Sequence, residues 1–448
     1  MKEAVFGEKG LMHSVTLDKD RCKGCVNCIK RCPTQAIRVR NGKADILSER
    51  CIDCGLCIRV CPHKAKKAVC DDLGVIKEYK YTVALPPPSL YAQFNNLSSQ
   101  KGIINALKAI GFDDVYEVAR AAEAVSTVSS EYIAAGDPDS LSMPVISTAC
   151  PAVTRLIAVR YPDLLDNLLP VITPAELAGK LAREKAKRET GLSDEEIGCI
   201  FISPCPAKVS SAYSPLGVSK RHIDAAVSVV EVYPLILKHM EKNKSKEGSI
   251  DESTEDTAGY IGVNWGGIGG EGTGLQITDR CLAADGIENV ITVLEDLESH
   301  KYDIDFVELN ACPAGCVGGV LQVENPYVAR VKLQKLKSSL KEKNSFASAP
   351  VADNLFWDTK IEYVPVMELG STREESFDRY NKLQELLETL PGIDCGSCGA
   401  PTCEAFAEDV VKGNADKNDC VIIMKEQMER MYKQMEAGTD FCSDKEQS

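Results

Sequence analysis

Several features are scarce in this chain of 448 residues, and some of these scarcities argue against particular classes of protein. Only 5 histidines and 2 tryptophans are present, and the histidines show no metal-ligand spacing. No apolar run reaches the roughly 18–20 residues of a transmembrane helix, and the start, MKEAVFGEKG, lacks the apolar core of a signal peptide. Acidic side chains outnumber basic ones by 66 to 52, which gives a net charge of −14. We therefore expect a soluble protein with neither nucleic acid nor a membrane as its partner.

Cysteine, in contrast, is abundant, with 20 residues. Without an export signal, so many cysteines favour metal or iron–sulfur ligation over disulfides, and they favour a reducing, anaerobic cytoplasm. The chain length predicts two or three domains.

Residues 1–82 contain the same short cysteine run twice. The runs are Cys22-x2-Cys25-x2-Cys28-x3-Cys32-Pro33 and Cys51-x2-Cys54-x2-Cys57-x3-Cys61-Pro62. This spacing is typical of bacterial two-cluster ferredoxins, in which the fourth cysteine of each run ligates the other cluster. One predicted [4Fe–4S] site is therefore Cys22, Cys25, Cys28 and Cys61, and the other is Cys51, Cys54, Cys57 and Cys32. Zinc also accepts thiolates, but two identical runs favour clusters.

Residues 83–372 predict a central α/β domain. A proline-rich hinge, ALPPPSL at 84–90, opens it. Helical patterns such as KGIINALKAIG then alternate with short apolar runs: PVIST, IGCIFIS, AAVSVV, YIGVNW and DFVELN. Such alternation indicates largely parallel strands. Two polar segments, 241–258 and 344–354, are predicted to be exposed loops.

Residues 373–448 predict a small C-terminal domain with helices. Its spacing, Cys395-x2-Cys398-x4-Cys403-x16-Cys420, resembles the four-cysteine [4Fe–4S] domain of carbonyl-processing and membrane electron-transport proteins. A helix is expected from about Glu404, and the tail VIIMKEQMERMYKQMEAG predicts a closing amphipathic helix. A zinc site is the alternative for these four thiols.

Four further cysteines lie in three loops rich in proline or glycine. They are Cys150 in STACP, Cys205 in ISPCPAK, and Cys312 and Cys316 in ELNACPAGCVGG. Each loop follows an apolar run, so we expect them together at the carboxyl ends of strands, where α/β sheets bind ligands. Four cysteines are then left over: Cys70, Cys199, Cys281 and Cys442. Cys199 and Cys281 are predicted to be buried apolar side chains, and Cys442 to be solvated.

The three loops, in this order, resemble the cluster-binding motifs of [FeFe]-hydrogenases. The resemblance implies that Cys150, Cys205, Cys312 and Cys316 hold a [4Fe–4S] cubane. Cys316 would also bridge it to a two-iron unit with CO and cyanide ligands, completing the H-cluster. Lys208, in PCPAK, matches the lysine that hydrogen-bonds a cyanide ligand.

The motifs depart from those of the catalytic family members at several positions. Ala149 stands where a cysteine usually relays protons. Ser203 and Asn310 replace methionines near the two-iron unit, Ser211 replaces a glutamate of the proton path, and Glu131 is an acid of uncertain register. Loss of a positioned acid or base costs about 10²–10⁴-fold in rate. An alanine before the first cluster cysteine resembles the sensory branch of the family.

The leading hypothesis is therefore a [FeFe]-hydrogenase-like protein that binds H₂ and turns it over slowly, with three accessory [4Fe–4S] clusters and a redox or signalling partner. The alternative is a non-catalytic electron-transfer or cluster-assembly protein without the two-iron unit. A structural zinc protein is a third possibility. The segment GGIGGEG at 266–272 formally matches a dinucleotide-binding motif, which requires a preceding strand. Its position between the second and third cysteine loops also matches a glycine-rich loop that lines the two-iron pocket of the hydrogenases.

Overall fold

The computed structural model describes residues 13–97, 99–136, 142–244, 257–299, 302–340, 355–366 and 368–443. The expected loop at 344–354, most of the one at 241–258, and the side chain of Cys442 lie outside the described part.

The strands are short and occur throughout the first 310 residues. They are β1 Val15–Leu17, β2 Ile37–Arg40, β3 Lys43–Ile46, β4 Lys66–Ala68, β5 Tyr81–Leu85, β6 Asp114–Val115, β7 Val145–Ile146, β8 Ile197–Ser203, β9 Ala225–Ser228, β10 Cys281–Asp285 and β11 Phe306–Asn310. The helices are α1 Asn27–Lys30, α2 Leu56–Arg59, α3 Pro88–Tyr91, α4 Lys101–Ile110, α5 Val118–Ala134, α6 Pro151–Arg160, α7 Pro174–Thr190, α8 Pro206–Tyr213, α9 Val229–Lys244, α10 Tyr260–Asn264, α11 Gly270–Leu275, α12 Ile287–Ser299, α13 Pro326–Ser339, α14 Arg373–Thr389, α15 Cys403–Val411 and α16 Val421–Ser443.

The chain folds into two compact units that each draw on separate stretches of sequence. The first unit comprises residues 13–16, Ile52–Gly55 and Ala68–Val364. The second comprises Leu17–Cys51, Leu56–Lys67 and residues 365–443. Most of the ferredoxin-like sequence and the C-terminal sequence thus belong to one compact unit. None of the described helices is long and apolar enough to cross a membrane.

The first unit contains two parallel sheets, as the α/β pattern predicts. Their strand orders are β6-β5-β8-β9 and β10-β11-β7. Strand β8 is buried along its whole length, and its side chains alternate between two apolar cores. One core also contains residues of α5 and α7, and the other residues of α4 and α9. Helices therefore cover both faces of the four-stranded sheet, which is why its strands are continuously apolar.

The structure corrects two expectations for this region. YIGVNW forms helix α10 rather than a strand, because a short buried apolar run fits either structure. The proline-rich segment that opens the central region is buried between β5 and α3. Residues 241–244 continue helix α9.

The second unit combines a β-hairpin, short helices and three longer helices. Strands β2 and β3 pair antiparallel. One small core contains Cys22, Cys28, Ile29 and Ile37, and another contains residues of α14, α15 and α16 around Phe406. Helices α15 and α16 begin close to the expected positions.

Candidate functional site

The central cysteines stand at the ends of strands, as expected. Cys150 and Cys205 are the N-cap residues of α6 and α8, and each precedes a proline at the first helical position. Proline suits that position because its missing N–H has no partner there anyway. The positive end of each helix dipole then faces a thiolate, which stabilises the charged form that binds iron.

The three loops bring their thiols together. Cys205 interacts electrostatically with Cys312, Cys316 and Cys150. Burial and these neighbouring thiols raise the pKa of Cys205 well above its ordinary value, so four protonated thiols or a metal centre fit here better than four free thiolates. Four converging cysteine sulfurs are the donor set of a [4Fe–4S] cluster. The residues present therefore fit a cubane.

A cavity opens beside Cys316, with an empty volume of about 610 Å³ that includes its opening to solvent. Apolar side chains form most of its wall, among them those of Pro87, Val118, Phe201 and Trp265. The polar and functional residues along the wall are Ser89, Ser147, Lys208, Glu271, Glu308, Asn310 and Cys316, and the wall also includes Ala149. An apolar pocket with a few convergent polar groups is the usual form of a small-molecule site.

Lys208 lies in the first turn of α8 and reaches into this cavity. Its Nζ donates a hydrogen bond to the carbonyl oxygen of Ala149, at 2.7 Å. Burial lowers the pKa of Lys208, but Cys316, Cys205, Cys150 and Glu271 more than offset this, so its pKa is raised and the ammonium stays charged. A charged donor is thus held beside Cys316.

Glu271 lies in the glycine-rich segment, at the start of helix α11. The hydroxyl of Ser147 donates to its carboxyl group, and the Ala149 N–H donates to the Ser147 oxygen at 3.2 Å. A hydrogen-bonded chain therefore runs from Ala149, where the relay cysteine is missing, to a buried carboxyl group.

Glu308 is a second buried acid on the same cavity wall, at the centre of β11. Backbone N–H groups of Gly269, Glu271 and Gly272 donate to its carboxylate at 2.9, 3.1 and 3.1 Å. The Asn310 side chain donates to it as well, at 3.2 Å. The glycine-rich segment thus wraps around a carboxylate of the protein itself. It follows a helix rather than a strand, so it lacks the context of a dinucleotide-binding motif.

Burial raises the pKa of both acids, and the Glu308 charge further raises that of Glu271. Three backbone N–H groups and Asn310 stabilise ionised Glu308, whereas the donor to the Glu271 carboxyl is the Ser147 hydroxyl. Glu308 is therefore the member of the pair that ionises first, and Glu271 is the one that keeps its proton.

Three other residues singled out from the sequence, Ser203, Ser211 and Glu131, are not among those that line the cavity. The Ser203 hydroxyl is buried and donates to the Cys205 carbonyl at 2.9 Å, within its own loop. Ser211 is buried on α8, and Glu131 is exposed on α5. Sequence reasoning missed Ser147, Glu271 and Glu308. A charged residue in the middle of the apolar run DFVELN was the available signal for Glu308.

The accessory cysteines in the second unit fit iron–sulfur ligation. Backbone N–H groups of Ala36 and Ala65 donate to the sulfurs of Cys32 and Cys61, each four residues earlier and each at 3.2 Å. The two halves of the repeat thus share one local geometry. Cys22 and Cys28 are buried in the same small core.

The four C-terminal cysteines line one small cavity with an empty volume of about 310 Å³. Cys403 begins helix α15, Cys420 is buried, and Cys395 is exposed. Hydrogen bonds from Ser397 lower the pKa of Cys395, which favours its thiolate. Four convergent sulfurs again fit a cluster, and they would also fit zinc.

Comparison with known proteins agrees with this arrangement. Residues 80–273 and 270–320 match the family described as the iron only hydrogenase large subunit, C-terminal domain. Residues 14–62 match a 4Fe-4S dicluster domain, and residues 390–422 match a small Fe-S cluster family.

Curated relatives include both hydrogenases and assembly proteins. The periplasmic [Fe] hydrogenase large subunit of Nitratidesulfovibrio vulgaris is 25% identical over 75% of this chain and 94% of its own. Iron hydrogenase 1 of Clostridium pasteurianum is 24% identical over 73% of this chain and 68% of its own. Cytosolic iron-sulfur assembly component 3 of Bos taurus is 22% identical over 42% of this chain and 49% of its own.

The hydrogenase family model spans more than half of the chain. The protein therefore belongs to the [FeFe]-hydrogenase-like family of iron–sulfur proteins.

Proposed function

We propose that this protein binds H₂ and interconverts it slowly with two protons and two electrons, and that it serves as a hydrogen sensor. The observation that supports this most is the cavity beside Cys316, which combines apolar walls with Lys208 and two buried acids. A bare electron-transfer cubane needs no such cavity.

In this proposal Cys150, Cys205, Cys312 and Cys316 would hold the cubane, and Cys316, beside the cavity, would also hold the two-iron unit. When bound, that centre supplies the iron position at which H₂ is split or formed. Lys208 is held towards the cavity by the Ala149 carbonyl, where it can donate to a cyanide ligand. The residues Ala149, Ser203 and Asn310 are departures from the catalytic pattern, and Asn310 additionally fixes Glu308.

Proton transfer falls to the chain's own acids. Glu271 keeps a proton at the wall of the largely apolar cavity, and its bond to Ser147 leads to the backbone at Ala149. Ser147 can exchange a proton with Glu271 through this bond, but alanine offers no titratable group for the last step. A water molecule must then bridge that step, so we expect slow turnover.

A sensor needs its signal to leave the protein. We propose that the electrons leave through the three accessory [4Fe–4S] sites to a redox or signalling partner in the cytoplasm. Slow turnover suits this role, since the redox state of the clusters then reports H₂ without consuming much of it.

The second candidate is a non-catalytic electron-transfer or cluster-assembly protein that never receives the two-iron unit. The similarity to cytosolic iron-sulfur assembly component 3 favours it. The two candidates differ in what occupies the cavity, not in the cubane.

Infrared spectroscopy of the full chain after anaerobic maturation separates the candidates. The proposal expects the sharp bands of iron-bound CO and cyanide, and about 18 irons per chain. A chain that carries about 16 irons in cubanes but shows no such bands would overturn it. Replacing Lys208 by alanine should shift the cyanide bands, whereas replacing the exposed Lys425 should leave them in place.

A further inference from the structure

The contact between the ferredoxin-like sequence and the C-terminal cysteine loop joins segments more than 350 residues apart within the second unit. We propose that this contact is the electron-transfer path between two cluster sites. One site is Cys395, Cys398, Cys403 and Cys420, and the other is Cys22, Cys25, Cys28 and Cys61. The inference depends on these cluster assignments, and it is independent of hydrogen chemistry at the cavity.

The backbone of the C-terminal loop contacts strand β2 directly. The Val39 N–H donates to the carbonyl of Gly399 at 2.7 Å. Gly399 has a φ of +83°, and a Cβ at this position would lie 1.9 Å from the Val39 oxygen. Only glycine permits this approach. The loop that contains Cys395 and Cys398 is therefore built to sit against the ferredoxin-like segment.

Helix α1 supplies the second side of the contact. Lys30 donates to the carbonyls of Asp394 and Pro401 at 2.6 and 3.0 Å, on both sides of the cysteine loop. A Cβ at Gly396 would meet side chains of Val26, Ile29 and Lys30 at 3.4–3.5 Å. Because α1 carries Cys28 and follows Cys25, the backbone around Cys395 packs on the backbone around the first ferredoxin-like site.

Buried ion pairs fix this arrangement. Helix α15 begins at Cys403 and carries Glu408 and Asp409. Asp409 pairs with Arg38 at 2.7 Å and with Arg40 at 2.5 Å, and the Arg38 and Asp409 side chains are only 5% and 9% exposed. Glu408 pairs with Arg50, whose side chain is 4% exposed. Buried charges tolerate little displacement, because each must keep its partner.

A second bond links the charged residues to a ligand loop. Arg40 also donates to the carbonyl of Cys398 at 2.9 Å. The same arginine therefore contacts α15 and the backbone of a cluster-ligand residue. The transfer itself is a single electron. One cluster goes from the 1+ to the 2+ state while the other goes from 2+ to 1+, and no bond or proton changes.

Exposure indicates which end of the path a redox partner can approach. Cys395 is exposed, whereas Cys22 and Cys28 are buried. The C-terminal site is therefore the one that a redox partner can approach. The first ferredoxin-like site would exchange electrons with that partner through the C-terminal site.

Electron paramagnetic resonance of the full chain tests this path. The protein is loaded with its cubanes, kept without the two-iron unit, and reduced with dithionite. We expect spin coupling between the two reduced clusters, seen as splitting or broadening that is lost in Gly399→Ala. The control is Gly413→Ala, which should keep the coupling, because Gly413 has a similar φ of +77° and a Cβ added there would have no atom within 4 Å.

Two further variants make the result decisive. Asp409→Asn removes the buried carboxylate without touching the loop, and it should also weaken the coupling. Cys54→Ala removes a ligand of the other ferredoxin-like site and should leave the coupling intact. The proposal is overturned if the unaltered chain shows no coupling, if both Gly399→Ala and Asp409→Asn retain it, or if Cys54→Ala abolishes it. Missing CO and cyanide bands would reject the hydrogen proposal but leave this one standing.

Discussion

Replacing Glu271 by glutamine tests whether the buried acid carries protons to the cavity. Glutamine keeps the volume of the side chain and can still accept the Ser147 hydrogen bond, but it cannot carry a proton. A positioned acid or base is worth about 10²–10⁴-fold, and the relay cysteine is already absent at Ala149. We therefore expect the remaining turnover to fall by at least about 100-fold.

The assay is H₂ oxidation with an artificial electron acceptor, together with infrared spectra of the same sample. The spectra should keep their CO and cyanide bands, because the change leaves the cluster ligands intact. The matched control is Glu176→Gln, a buried carboxyl whose pKa burial likewise raises, to about 8, and which does not line the cavity. Its turnover should equal that of the unaltered chain.

The pH dependence gives this prediction a second readout. Because burial and Glu308 raise the pKa of Glu271, its carboxyl is protonated at neutral pH. Proton reduction, which needs the acid form, should fall as the pH rises through this raised pKa, while H₂ oxidation should increase. Both trends should disappear in Glu271→Gln. Full turnover in that variant with intact bands would refute the relay, and Ser147→Ala should then also be without effect.

Three other outcomes follow from the structure. Ala149→Cys should raise turnover by about 100-fold or more, since it restores an acid beside Lys208. An unchanged rate in the activity assay would mean that the last proton step does not limit turnover. Asp409→Asn should destabilise the second unit by about 3–5 kcal/mol, because it leaves two arginines without their carboxylate. Denaturant titration followed by cluster absorbance should detect this loss of stability. The exposed control Glu429→Gln should show no such loss. Burial in the folded protein raises the pKa of Glu176 to about 8, so its contribution to stability is fully present below about pH 4.5 and is lost as the pH rises to 8. Glu176→Gln should therefore flatten the decline of Tm over that range. An equally steep decline in the variant would contradict the raised pKa of Glu176.

The cysteine framework could be predicted from the sequence because ligand spacing is local information. The positions of Cys150 and Cys205 after apolar runs correctly implied the carboxyl ends of β7 and β8. The same reasoning failed for YIGVNW, since a run with only three buried residues (Ile261, Gly262 and Val263) carries no period that distinguishes α10 from a strand. The α/β class was confirmed, because seven strands pair in parallel.

The proton-carrying residues could not be predicted because they meet only through tertiary structure. Ser147 precedes Glu271 by 124 residues, and their hydrogen bond depends on how α11 lies against β11. The glycine-rich sequence around Glu271 was equally compatible with binding a phosphate and with surrounding a carboxylate of the protein itself. The backbone N–H groups that would have held a phosphate instead bind Glu308.

The charges around the cavity would allow the proposed slow turnover and the proposed sensing to belong to one site. Among the described residues of the cavity wall, Lys208 is the cation, and it faces Cys316 as well as Glu271. An electron on a cubane held by the four central cysteines would add negative charge to this poorly solvated region and would raise the proton affinity of Glu271 further. Reduction and protonation would then be coupled, because an electron would be retained more readily when Glu271 holds a proton. Because Ala149 offers no titratable group for the last step beyond Ser147, the reduced and protonated state should persist long enough for a partner to detect it.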